Sequence, residues 1–154
     1  MILVTLKQAK SQIMHDNIIV KQEVSAPIDT VWQAITDRSK MKEWYFDIPD
    51  FKLAENCEFS FYGAEKNDRY HHHAEILEVI PEQKLKMSWS YPEITKEKTI
   101  VKWELKPVEN GTEVILTHKG LENLEHLGED FSRSTMVNTW KEIVGTSLKS
   151  FVEN

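Results

Sequence analysis

Cysteine is almost missing from this sequence: Cys57 stands alone among 154 residues. An internal disulfide is therefore excluded, and a lone thiol fits a reducing compartment. Positive charge is in deficit as well. Lys plus Arg total 19 against 25 for Asp plus Glu, a formal charge of -6. That balance repels a phosphate backbone, so nucleic acid is not an expected partner. Long hydrophobic runs are lacking too. The longest, Met1 to Val4 and Ile18 to Val20, fall far short of the about 18 apolar residues a membrane helix needs. No positive residue precedes the first run, so neither a span nor a secretory signal is expected and the protein is read as cytoplasmic. Five Gly, five Pro and no repeat or low-complexity tract leave little room for linkers or disorder.

What is present is enough for a core of ordinary size: folding a chain of this length removes roughly 68% of its surface from water, so no structural metal is required. Residues 1–17 lack sustained periodicity and read as an N-terminal extension, with a short helix around Thr5 to Met14 and Met14 as an alternative start. Residues 18–154 read as a single domain. The β-branched stretch Ile18 to Ser25, ended by Ala26-Pro27, predicts a first strand with Ile18, Val20 and Val24 on one side. Ile28, Val31, Trp32 and Ile35 then recur at helical spacing behind Pro27, and Asp37 to Trp44 predicts a second short helix or turn.

Alternation takes over after Phe51. Strands are predicted at Cys57 to Tyr62, Arg69 to Ile80, Leu85 to Tyr91, Thr99 to Lys106 and Thr112 to His118. Pro81, Pro92 and Pro107 are read as stops, and Asn110-Gly111 as the tight turn of the last hairpin. The final segment repeats apolar residues at three- and four-residue steps from Phe131 through Met136, Trp140, Val144 and Leu148 to Phe151, a long amphipathic helix. The expectation is an α+β fold: a curved antiparallel sheet of six strands wrapped around the C-terminal helix, with two short helices after strand one.

This order of elements resembles the helix-grip fold of the START-like (SRPBCC) superfamily. Ser25-Ala26-Pro27 ahead of Val31-Trp32-Gln33-Ala34-Ile35-Thr36-Asp37 and Trp44 is similar to the opening of homologues of the activator of the heat-shock-protein-90 ATPase. Glu78 to Leu85 running into Trp89, Gly111 to Val114 running into Leu116 to Gly120, and Trp140 carry the same resemblance, which extends over Ile18 to Val152. Two departures stand out. The eukaryotic activator carries an additional N-terminal domain, so stimulation of a chaperone ATPase is not carried over. A glycine pair common before the second strand is replaced by Glu55-Asn56-Cys57. The resemblance implies a small hydrophobic or amphipathic ligand held between sheet and helix, no cofactor, and a chaperone or other protein as a further partner. It also leaves open an enzyme of the cyclase, dehydratase or hydrolase kind.

Alternation places Trp44, Phe59, Phe61, Met87, Trp89, Trp103, Met136 and Trp140 on inward faces, where they build either a solid core or the wall of a cavity. The resemblance favours the cavity, with these residues and His118 as ligand-binding candidates. His118, Tyr91 and Tyr62 are the groups read as orienting a ligand, and catalysis would require His118 to meet an inward carboxylate. His71, His73 and Glu75 share one face of a strand at metal-ligand spacing, but the reading adopted is a polar outer row without a metal. Cys57 reads as an inert core thiol. The loop Leu121 to Asp130 is read as exposed, a surface for a partner protein.

Overall fold

The computed structural model describes residues 17–63 and 70–154; the extension and the helix expected in it lie outside the described residues. Strand β1 (Ile18–Val24) leads through Pro27 into α1 (Ile28–Thr36) and α2 (Arg38–Trp44). Five strands follow: β2 (Glu58–Gly63), β3 (Tyr70–Ile80), β4 (Lys84–Ser90), β5 (Lys98–Val108) and β6 (Gly111–Lys119). Three single 3-10 turns then lead to the C-terminal helix. It starts as α3 (Arg133–Glu142), passes through a π-helical stretch (Ile143–Leu148) and finishes as α4 (Lys149–Glu153). The strands form one antiparallel sheet in the order β1-β6-β5-β4-β3-β2. This is the expected α+β arrangement.

Each element follows from local chemistry. On β1 the β-branched positions do not share a fate: Ile18, Val20 and Val24 are buried and Ile19 is exposed, the pattern of a strand with one covered face. Helix α1 buries Val31, Trp32, Ala34 and Ile35. Asp37 ends it and starts the next, its carboxylate accepting from the Ser39 amide at 2.9 Å. Hydrogen bonds from Ser39, side chain first, hold the Asp37 carboxyl below its ordinary value. The Trp44 indole donates to the Ala34 carbonyl at 2.8 Å, satisfying an orphan acceptor in the last turn of α1. This bond ties the two short helices together and sets the aromatic run that follows.

Three local expectations are corrected. Pro107 does not stop β5, which continues to Val108 with Pro107 opposite Thr112. The pairing with β4 reaches only Glu104, so Pro107 has a partner strand on one side alone and its missing N–H breaks no second ladder. The tight turn is Glu109-Asn110, since Gly111 is already paired with Val108 and has no positive φ. Gly111 is there for space: a Cβ would lie 2.0 Å from the Val24 carbonyl oxygen. Gly111→Ala is therefore expected to cost about 3 kcal/mol, the upper range for overpacking, because the clash is with backbone; an unchanged urea midpoint would show the approach to be softer than the geometry states. Finally, the stretch after β6 is not simply exposed, for Leu121, Leu124 and Phe131 are buried.

The Glu55-Asn56-Cys57 departure also finds its explanation. Asn56 adopts φ 71, a left-handed conformation that asparagine tolerates better than most residues other than glycine. Its amide and the Cys57 carbonyl both bond Ile76, two residues against one, so this is a bulge at the entry to β2. Cys57 itself is half-buried, packed against the core.

Candidate functional site

Trp44, Tyr45 and Phe46 leave the end of α2 and lie over the inner face of the sheet. Phe46 packs on Phe61 of β2 with ring centroids 4.9 Å apart, and Trp44 meets Trp103 of β5 edge-on at 6.3 Å. Opposite them the C-terminal helix presents Met136 and Trp140, and Trp140 touches Trp89 and Trp103 at 5.7 and 6.1 Å. Between the aromatic run and the helix lies an open cleft of about 610 Å³.

Of the residues expected to hold a ligand, Trp44, Trp89, Met136 and Trp140 line this cleft. Phe59, Phe61, Met87 and Trp103 do not. They sit beneath it around a void of about 10 Å³, room for one water at most, and serve as packed core. Tyr91 is on the cleft wall, where its hydroxyl accepts from the Trp89 indole at 3.1 Å. Tyr62 is not: it is 55% exposed and stacks on His71 on the outer face. The reading of Tyr62 as a ligand-orienting group is corrected by that placement.

His118 lies deeper than the cleft wall, with 0% exposure. Its hydrogen bonds fix its tautomer. The Trp140 indole donates to Nδ1 at 3.0 Å, so the ring proton sits on Nε2 and goes to Thr99 Oγ1 at 2.8 Å. Thr99 in turn donates to the Trp89 carbonyl at 2.9 Å. The chain helix–β6–β5–β4 is thus tied by one relay of bonds. Both ring nitrogens are used, and no carboxylate partner is among them. Burial pulls the imidazole down to about 3, which keeps it neutral at physiological pH.

The alternation that aligns His71, His73 and Glu75 is observed. His73 bonds Glu58 through Nε2 and Ser60 through Nδ1, each at 3.0 Å. Among the described residues no group of three potential ligands could hold a metal.

The same alternation turns His72 inward, a consequence the sequence reading did not draw. His72 is only 6% exposed, stacks on Phe61 at 4.8 Å and 9°, and has Tyr91 and Trp89 at 4.9 and 5.3 Å. Its Nδ1 donates to the Tyr70 carbonyl at 3.0 Å. Burial brings its pKa down to about 4, with a smaller contribution against it from that bond and a further lowering from His71.

Other cleft residues escaped the sequence reading. Tyr45, half-buried as a residue, has its hydroxyl pushed well above the ordinary value by desolvation, reinforced by Tyr91. The Tyr70 hydroxyl donates to Asp130, joining β3 to the turn before the helix. Ile143 and Ser147 reach the wall from the π-helical stretch, a widening of the helix that frequently accompanies functional sites. No sequence signal marks that stretch. Tyr70 and Asp130 are 60 residues apart, and their pairing is equally silent in the sequence.

A family model described as Activator of Hsp90 ATPase homolog 1-like protein matches residues 25–153. No curated protein sequence matches the chain. Among solved structures, DynU16, from the dynemicin biosynthetic locus, superposes with a TM-score of 0.73 at 21% identity over 90% of this chain and 48% of that one. The chain thus spans about half the length of DynU16. CalU16 from Micromonospora echinospora gives 0.67 at 24% identity, over 90% and 76%. The Aha1 dimer from Colwellia psychrerythraea gives 0.68 at 21%, over 89% and 96%. At such identities these likenesses concern the fold.

Proposed function

The chain belongs to the activator of Hsp90 ATPase homolog 1-like family, and on that premise we propose that it is a cytoplasmic small-molecule binding protein. In this reading residues 18–154 form a single domain, and an apolar or amphipathic ligand is enclosed between the sheet and the C-terminal helix. The observation that carries it is the cleft of about 610 Å³ walled by Trp44, Trp89, Tyr91, Phe131, Met136 and Trp140. Its volume falls within the roughly 300–1,000 Å³ of small-molecule sites, and the mixture of aromatic wall with a few polar groups is the composition such sites have. The solid-core alternative accounts for Phe59, Phe61, Met87 and Trp103 but leaves this space without a purpose. Among the described residues no helix is long and apolar enough to cross a membrane.

The test uses the wall itself as a reporter. Trp44, Trp89 and Trp140 border the cleft, so tryptophan emission should respond to an apolar ligand and saturate at about one ligand per chain. Native mass spectrometry of protein purified from its own host should show an adduct that denaturation releases. A bare mass together with emission that never responds to a panel of apolar and amphipathic compounds would defeat the reading, and a protein partner would take its place.

A further inference from the structure

Resting on the reading of the cleft as a ligand site, we infer that His72 sets its specificity: the ligand is a flat, uncharged aromatic molecule with a hydrogen-bond donor, such as a phenolic hydroxyl, placed on His72 Nε2. A carbonyl oxygen only accepts, so the 3.0 Å contact with the Tyr70 carbonyl puts the ring proton of His72 on Nδ1. Nε2 then carries a lone pair, and the described residues offer it no donor. Among them no fully sealed side-chain nitrogen or oxygen lacks a partner. Nε2 is consequently not sealed, and the surface to which His72 contributes is the cleft wall.

Burial keeps the ring neutral, with a pKa lowered to about 4, so at neutral pH this atom accepts and does not donate. An acceptor in such a place, flanked by rings, is costly to leave without a donor and discriminates strongly between ligands that have one and ligands that lack it. Shape follows from the neighbours. Phe61 backs the imidazole from the core, while Trp89 and Tyr91, both on the cleft wall, stand at 73° and 59° to it; these two rings suit a planar ring system. Charge narrows the class further. Among the described residues that line the cleft, Glu142 contributes a carboxylate and none is Lys or Arg. A ligand carboxylate would meet the like charge of Glu142 there, which separates this specificity from that of a fatty-acid site.

Four probes built on one ring system distinguish the possibilities: naphthalene, 2-naphthol, 2-methoxynaphthalene and 2-naphthoate, titrated near neutral pH into the wild-type chain and into His72→Phe. We expect 2-naphthol to bind the wild type about tenfold more tightly than its methyl ether, with 2-naphthoate weakest, and the advantage of the hydroxyl to vanish in His72→Phe. Equal binding of naphthol and ether to the wild type, an advantage that survives in the variant, or tightest binding of the naphthoate would each overturn the inference while leaving the cleft as a binding site. Binding of none of the four would overturn the inference as well, and the binding reading itself would fall only if native mass spectrometry and the broader panel of apolar and amphipathic compounds were also silent. Should His72→Phe not fold, the 15N resonance of His72 Nε2 in the wild type decides: saturating 2-naphthol should move it, 2-methoxynaphthalene should not, and equal shifts would overturn the assignment.

Discussion

Replacing Trp140 with alanine is expected to lower the thermal midpoint by roughly 10 °C or more and to weaken the ligand-dependent quenching that Trp44 and Trp89 still report. Two losses combine in this one change. Truncating a buried tryptophan costs about 3–5 kcal/mol when its surroundings relax only in part, and each kcal/mol moves the midpoint by about 2–4 °C in a domain of this size. Trp140 is wedged between Trp89, Trp103 and His118, so collapse into the space is hindered from three sides. The second loss is the donor to His118 Nδ1, which leaves an acceptor without a partner in a residue sealed from solvent. Trp140→Phe separates the two. It keeps most of the ring and removes the N–H, and is expected to cost about 1–3 kcal/mol on the hydrogen bond alone. A phenylalanine variant as stable as wild type would mean that the relay through His118 and Thr99 contributes nothing.

Mild acid should destabilise the protein through two buried histidines. His72 and His118 are held neutral in the fold, at about 4 and about 3, against an ordinary 6.5. The sign follows from proton binding. Below pH 6.5 the unfolded chain takes up a proton at each imidazole while the folded chain does not, so stability falls as pH falls. Their contribution is fully present above about pH 6.5 and is lost progressively down to the folded values. At one pKa unit equal to about 1.36 kcal/mol, each histidine accounts for about 2 kcal/mol by pH 5. Together they amount to about 4 kcal/mol, a large share of the about 5–15 kcal/mol that stabilises a typical domain. The urea midpoint should therefore drop by about 2 M between pH 7.5 and 5, with m taken as about 2 kcal/mol/M. Asp37 acts in another window: its lowered carboxyl supports folding above its unfolded value of 3.8 and is lost as pH falls below that. A midpoint unchanged from pH 7.5 to 5 would mean that the two rings are hydrated and titrate normally.

How much of this was legible beforehand depended on the range of the signal. The strands were readable because a sheet with one covered face writes its pattern every second residue, as at Cys57, Phe59 and Phe61. The terminal helix was readable for the same reason at its own period. Punctuation was less reliable. Pro107 and Asn110-Gly111 carry local propensities, but whether a proline ends a strand depends on where the neighbouring strand stops, and β4 stops short of it. The site was half legible. Alternation gives a residue's face, not its depth, so Phe61 and Trp89 looked equivalent although only Trp89 borders the cleft. His72 was overshadowed by its neighbours: a row of His71, His73 and Glu75 drew attention to one face, and the single histidine on the other faces Phe61, Trp89 and Tyr91.

The position of β1 in the sheet has a further consequence during synthesis. Its partner is β6, and the register sets Ile18 against His118, 118 - 18 = 100 residues later. At about 5–20 residues per second, a ribosome needs roughly 5–20 s to deliver that partner. Strands β2 to β6 can meanwhile pair as successive hairpins with short loop closures, while Ile18, Val20 and Val24 wait without a covering layer. Lys21 and Glu23, both exposed on the finished sheet, keep the waiting strand charged and so less prone to pair with another nascent chain. The first strand and the last helix are thus the two pieces that close the molecule, and the cleft between sheet and helix is among the last features to come into being.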